Sequence, residues 1–369
     1  MNDAASPWQP PPSPSSMHYE PFVFRGSTRE YFGIWIVNVL LTIVTLGVYS
    51  AWAKVRRQRY FYGNTYLAGS SFDYHARPVQ ILIGRIIVLA LLAAYNISLQ
   101  VYPILGGAIG LCFFFAIPWF VMRGMRFSAR VTSYRNVRFD FVGGYWGAFL
   151  AYIVGGMIIY MSAAILAPLV SQWMWKYRLD NLRFGDRPIK CDPRVDKIYT
   201  QWWAPAIIFV LGSIVLAVVV GVVAYGVYTS LYGDTGTEDG DGFSPYMIVV
   251  LLYAGFIPFL LLYAVCSQLY SAGVRNIVLD ETVIDARHLL ASSVNRWRYT
   301  WIAVSNVIAT LCTLGLARPW AAIRMAHYVA GVTGLYATTD LDEFVGSVKQ
   351  PGGAAGSEFM DVEGFDFGF

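Results

Sequence analysis

Two clusters of amides and hydroxyls are the residues of this chain best placed to do chemistry. Asn38, Thr42 and Thr45 are spaced to share one face of a helix, and Asn306, Thr310 and Thr313 repeat the arrangement. Both clusters lie in strongly apolar text. Such groups could line a polar, substrate-binding site for a small solute or ion near the middle of a membrane. The competing reading is that they only hydrogen-bond between closely packed helices. Arg85 is a third candidate, because it sits inside an apolar run. An ionisable residue there is either functional or snorkels to the headgroups along its own stem.

Catalytic patterns are missing. The histidines (His18, His75, His288, His327) are dispersed, and the cysteines (Cys112, Cys191, Cys266, Cys312) form no CxxC pair. No HExxH, P-loop or GxSxG stretch occurs. The expectation is therefore a protein that is not an enzyme, with no metal and no cofactor.

Composition identifies the surroundings. Of 369 residues, 56% are apolar and 14% charged, against about a quarter charged in soluble domains, and the mean hydropathy is +0.49. Apolar runs of about twenty residues match a bilayer core. These features predict a polytopic membrane protein. Nucleic acid is not an expected partner, because the basic runs are fused to membrane segments. Oligomeric state is not encoded legibly.

The two polar clusters belong to a longer repeated text. Asn38, Thr42, Thr45, Leu46, Gly47, Trp52, Arg56, Tyr60 and Thr65 recur, without a gap, as Asn306, Thr310, Thr313, Leu314, Gly315, Trp320, Arg324, Tyr328 and Thr333. A weaker middle copy places Phe139, Phe141, Gly143, Tyr177 and Asn181 opposite Phe22, Phe24, Gly26, Tyr60 and Asn64, and loses the Thr-Leu-Gly break. The expected organisation is a Pro/Ser-rich tail (1–19), repeat unit 1 (20–78), a transmembrane hairpin (79–121), unit 2 with basic flanks (122–201), a second hairpin (202–266), unit 3 (267–345), and a Gly-rich linker with an acidic-aromatic tail (346–369). The fold class expected is an all-α polytopic membrane protein with small cytoplasmic β-hairpins, its three internal repeat units separated by two transmembrane helical hairpins.

Charge sets the topology. If only the two hairpins cross, every Lys and Arg except Arg85 falls on one side, as the positive-inside rule prefers. Both termini are then cytoplasmic. Each repeat unit then dips in and returns, with Thr-Leu-Gly as its turning point; the alternative is that every apolar run crosses, with seven spans and Gly47 ending a full one. Trp52, Lys54, Arg56, Arg57, Arg59 and Tyr60, with Trp320 and Arg324, form an interfacial signature: aromatics at headgroup depth and cations towards anionic lipid headgroups.

The string LLTIVTLGVYSAWAKVRRQRYFYGNTYLAG resembles the YjgN-like family of bacterial inner-membrane proteins, a domain of unknown function, over about residues 20–345. The N-terminal extension and the eroded middle copy depart from it. The resemblance implies an integral protein of the bacterial cytoplasmic membrane and carries no activity with it. Two functions fit: transport of a small solute or ion through the Asn/Thr units, or a scaffold that organises lipid through a basic cytoplasmic face.

Overall fold

Stretches of alternating sequence too short to form a sheet alone find their partners in the next stretches along the chain. The computed structural model describes residues 17–232 and 245–349. Ten antiparallel strands close into a barrel: β1 (His18–Phe24), β2 (Thr65–Leu67), β3 (Ser70–Tyr74), β4 (Thr132–Tyr134), β5 (Val137–Phe141), β6 (Leu182–Phe184), β7 (Arg187–Cys191), β8 (Thr282–Ile284), β9 (His288–Ser292) and β10 (Thr333–Ala337). Sequence neighbours are barrel neighbours. The seam pairs β1 with β10, His18 opposite Ala337 and Pro21 opposite Gly334. A Cβ at Gly334 would collide with the Tyr19 ring, so a larger residue there would push that exposed ring aside. Closure leaves no free sheet edge.

This corrects the expectation of an all-α core with small separate β-hairpins. Strands of three to five residues offer too few alternating positions to announce a sheet. The seam joins opposite ends of the chain, which no local pattern records.

Tight turns alternate with helical hairpins around the barrel. The hairpins are α1 (Thr28–Val44) with α2 (Ser50–Gly63), and α3 (Pro78–Val101) with α4 (Pro103–Arg130). The middle one runs through α5 (Tyr145–Ala148), a π-helical segment (Phe149–Val154) and α6 (Gly155–Met161), and returns as α7 (Ala167–Asp180). Then come α8 (Val195–Tyr232) with α9 (Pro245–Asp280), and α10 (Arg296–Cys312) with α11 (Arg318–Gly331). Because strand direction alternates, all five hairpins leave from one rim and the tight turns lie at the other. Three units and two separate hairpins are thus replaced by five helical hairpins with a common attachment. The acidic loop around 233–242 and both tails lie outside the described residues, apart from 17–19 and 346–349.

A recurring contact fastens the hairpins to the barrel. Six residues before each strand that follows a hairpin, a polar side chain reaches the chain just beyond a neighbouring strand. Arg59 donates to the carbonyls of Tyr74 and Ala76, and Arg126 to those of Phe141 and Gly143. Lys176 pairs with Asp192, Asn276 donates to the Val294 carbonyl, and His327 Nε2 lies 3.0 Å from the Gly26 carbonyl. The last of these ties the fifth hairpin back to the first.

The barrel is packed with side chains. Phe72, Tyr134, Phe184 and Phe139 meet as tilted rings across its interior, at centroid separations of 4.8, 6.4 and 5.1 Å for the pairs 72–134, 134–184 and 139–184. A short helix, α12 (Leu341–Ser347), covers the tight-turn rim and inserts Leu341 and Phe344 into this core. Arg135, fixed by the Ala68 carbonyl, pairs with Asp342 to hold it in place. The cysteines are free, and burial pushes the Cys191 thiol up to about 11.

His288 is the weak point of this core. Its ring packs on Phe344 at 4.4 Å, and neither ring nitrogen has a hydrogen-bond partner among the described residues. Burial, aided by Arg287 and opposed by Asp285, pushes its pKa below the ordinary value. The folded state therefore holds it neutral, whereas the unfolded chain takes up a proton near pH ~6.5. Stability should fall as pH drops below about 6.5. Unfolding midpoints in detergent between pH 7 and 5 should show that slope, and His288→Phe should flatten it. An equal slope in the variant would assign it to other groups.

Candidate functional site: the hairpin tips and the cavity at the helical rim

The tips are built from the polar residues that the sequence singles out. α1 ends at Thr45, and Leu46 and Gly47 take positive φ of 49° and 92°. The Gly47 amide reaches back to the Thr42 carbonyl at 2.7 Å, a left-handed helix stop. The Thr45 hydroxyl donates to the Leu41 carbonyl and accepts from the Tyr49 amide, stitching the turn. The fifth hairpin repeats this, with Leu314 and Gly315 at 50° and 96°, and Thr313 between the Ala309 carbonyl and the Ala317 amide. In the middle hairpin, Ala163 and Ala164 occupy the left-handed positions at 48° and 65°.

The Asn and Thr residues of each cluster serve their own hairpin. Asn38 and Asn306 are buried at 7% and 8% exposure. Arg56 donates to the Asn38 side-chain oxygen at 3.3 Å, and Arg324 to that of Asn306 at 3.1 Å. Asn306 also donates to the Ala321 carbonyl at 2.9 Å, bridging α10 and α11. Thr42 and Thr310 donate to the carbonyls of Asn38 and Asn306. No hydrogen bond joins the two clusters among the described residues, although α1 packs beside α11. Arg85 is held by the hydroxyl of Ser50 at 2.5 Å, linking α3 to the first tip.

The interfacial residues line the return arms. In α2, Trp52 stacks on Tyr49 near the tip, Arg56, Arg57 and Arg59 are exposed further along, and Tyr60 Oη bonds the Ser27 backbone at the rim. Lys54 lies on the same arm. In α11, Arg324 sits 5.1 Å over Trp320, and Tyr328 engages the Asn295 backbone as Tyr60 engages Ser27.

The tips themselves are apolar and bare. Leu46 is 94% exposed, Leu314 95% and Tyr160 88%. Helices of 17 and 14 residues reach roughly 26 and 21 Å, short of a hydrocarbon core of about 30 Å. By contrast, four helices among the described residues are long and apolar enough to cross a membrane: Pro78–Val101, Pro103–Arg130, Val195–Val227 and Gly255–Asp280.

A cavity of about 690 Å³ opens at the helical rim between α2, α4 and α7. Its lining is mostly apolar and aromatic, with Arg178 as the cation in it. Arg178 was indistinguishable in the sequence from the other cations of 171–201. Only the fold, by setting Tyr152 beside it, singles it out.

A packed barrel that hangs apolar helical hairpins from one rim defines an integral membrane protein. The chain belongs to the family described as "Bacterial protein of unknown function (DUF898)", whose pattern matches residues 19–362. It is similar to "Inner membrane protein YjgN" of Salmonella typhimurium, 26% identical over 378 aligned positions covering 90% of this chain and 92% of that protein. It also resembles the proteins of that name in Escherichia coli O157:H7, 31% identical over 39% of each chain, and in strain K12, 33% identical over 34% of this chain and 32% of that one. No solved structure matches. The chain is thus an inner-membrane protein of unknown function.

Two stability predictions follow the geometry. Asn306→Leu removes the bridge from α10 to the Ala321 carbonyl, which keeps its own helical bond, and should cost about 0.5–1.5 kcal/mol. Asn38→Leu should cost less, because its partner Arg56 is solvent-accessible; thermal unfolding in detergent ranks the two. Ala164→Gly relieves a left-handed alanine and should stabilise by ~1 kcal/mol, whereas Gly47→Ala should destabilise by a similar amount; equal and negligible shifts would refute the tip account.

Proposed function

We propose that the chain is a multi-pass scaffold of the inner membrane that organises anionic lipid beneath a cytoplasmic barrel. The observation that carries this reading is the make-up of the short hairpins: an apolar outgoing arm, a bare apolar tip and a cationic return arm. From Leu46 to Lys54, the first cation of α2, is about two turns, roughly 10 Å. A cation at the bilayer centre costs several kcal/mol, so the tip enters one leaflet while Lys54 and Arg57 stay with the headgroups. Hairpins two and four cross. Arg318, exposed just beyond the fifth tip, fits the same shallow insertion beside Trp320. β1 begins and β10 ends at the tight-turn rim, which supports both termini lying on one side. The positive-inside rule makes that side cytoplasmic.

Transport through the Asn/Thr units has less behind it. Those groups are engaged in hydrogen bonds within their own hairpins.

Two measurements test the proposal. In a background lacking the native cysteines, Gly236→Cys should react with an impermeant maleimide on intact spheroplasts. Asp73→Cys, on the outer barrel face, should react only after permeabilisation, and Leu46→Cys in neither state. Outside labelling of Asp73→Cys would reverse the topology. In proteoliposomes, spin-labelled phosphatidylglycerol should be immobilised at the protein boundary more than phosphatidylcholine. Lys54→Gln with Arg57→Gln should reduce that preference, and no preference in the parent protein would sink the scaffold reading.

A further inference from the structure

The middle hairpin departs from the other two short ones. Its outgoing arm contains the π-helical segment Phe149–Val154, and π-helical turns recur at functional sites. Where the first and fifth hairpins carry Phe61 and Val329, one residue past the rim-binding tyrosine, the middle one carries Arg178, one past Tyr177. Tyr177 Oη itself donates to the Gly144 carbonyl, as its counterparts engage the rim.

Arg178 is held but not neutralised. Its Nε donates to Tyr152 Oη, carried by the π-helical segment, at 2.6 Å. The guanidinium also lies 5.6 Å from the Tyr152 ring centroid and 5.5 Å from that of Trp175. Among the described residues this is its one hydrogen bond, and no carboxylate pairs with it. A guanidinium fixed by Nε and flanked by aromatics presents its terminal nitrogens as a fork, the geometry that binds phosphate oxygens in pairs.

The rest of the cavity that receives this fork is mostly apolar, with hydroxyls from Ser128 and Thr132. It extends from Arg178, two residues before the end of α7 at the rim, along α4 past Met125 and Gly124 to Val121. That path runs from the cationic rim towards the uncharged stretch of α4. A Cβ at Gly124 would meet nothing within 4 Å. A cation at the headgroup end and an open apolar channel directed into the bilayer fit one kind of occupant.

We propose that this cavity is a discrete binding site for an anionic phospholipid, its phosphate on Arg178 and an acyl chain along α4 past Gly124. The proposal rests on the membrane-embedded reading above but not on the cationic return arms. Tyr152 and Trp175 position the guanidinium, and Met125 adapts to the chain as unbranched thioethers do.

Native mass spectrometry of the full-length protein tests it, with dioleoyl-phosphatidylglycerol, dioleoyl-phosphatidylcholine or oleate added in detergent. The parent should retain one phosphatidylglycerol in preference to the other two. Arg178→Gln should weaken that retention about ten-fold, as expected for losing a charge-assisted pair of hydrogen bonds, and Arg178→Lys should weaken it less. Gly124→Leu fills the channel without touching the cation and should lower retention of phosphatidylglycerol. Lys190→Gln, on the outer face of β7, should change nothing. Retention unchanged in Arg178→Gln or in Gly124→Leu would overturn the proposal. So would equal retention of phosphatidylcholine, a preference for oleate, or an equal loss in Lys190→Gln. Boundary-lipid selectivity should be kept in Arg178→Gln. Failure of this site is therefore distinguishable from failure of the scaffold reading, which would abolish that selectivity in the parent.

Discussion

Closure of the barrel at the β1–β10 seam is the constraint on which the rest depends. An up-and-down barrel with an even number of strands sends every second connection to the same rim. Once β1 and β10 pair, all five helical hairpins must leave together, and the chain must enter β1 and leave β10 at the opposite rim. The direction of every membrane-facing element is thus fixed by hydrogen bonds outside the apolar helices. The His327 contact with Gly26 repeats the closure at the level of the helices. With Arg59 and Arg126 in equivalent places, it makes the ring of attachments continuous across the seam.

Within that frame, hairpin length and charge divide the labour. In α4, no charged residue occurs from Pro103 to Met122, enough helix to cross a hydrocarbon core. In α2, cations begin at Lys54, one turn after the helix starts. The two kinds of hairpin hang from identical strand connections, so barrel geometry does not distinguish them. The free energy of placing Lys and Arg in hydrocarbon does. On the proposed reading, the long hairpins fix the protein in the bilayer and the short ones set how deeply the rim sits.

Much of this was legible locally. The apolar runs marked the four long helices, Ala68-Gly69 marked the β2–β3 turn, and Thr-Leu-Gly marked the tips, because Gly47 and Gly315 adopt φ values that favour glycine. What was not legible is whatever depends on distant partners. The three-residue strand Leu182–Phe184 has no period to read, and its meaning comes from β5 and β7 on either side. α12 reads as a short polar stretch, and only the barrel interior explains Leu341 and Phe344. The candidate site shows a related limit of local reading. Asn and Thr in apolar text signal that a hydrogen bond is needed, but the sequence does not say whether its partner is a substrate or the neighbouring helix.

The answer given by the hairpins bears on where function resides. Asn38, Asn306 and their threonines satisfy one another, Arg56, Arg324 and the turn amides, so they are the cost of reversing a helix inside or near the bilayer. Groups committed in this way stabilise the tip and have little left to offer a ligand. The uncommitted features are of two kinds: apolar side chains bared at the tips, and a guanidinium whose fork faces a cavity. On the proposed reading lipid satisfies both, the first by its chains and the second by its phosphate. Where the middle hairpin lacks the Asn–Arg bridge, Gly155 packs against Val170 instead, and the arginine of that hairpin is displaced to the rim. The same residue type that closes the first and fifth hairpins is there left open to a partner from outside the chain.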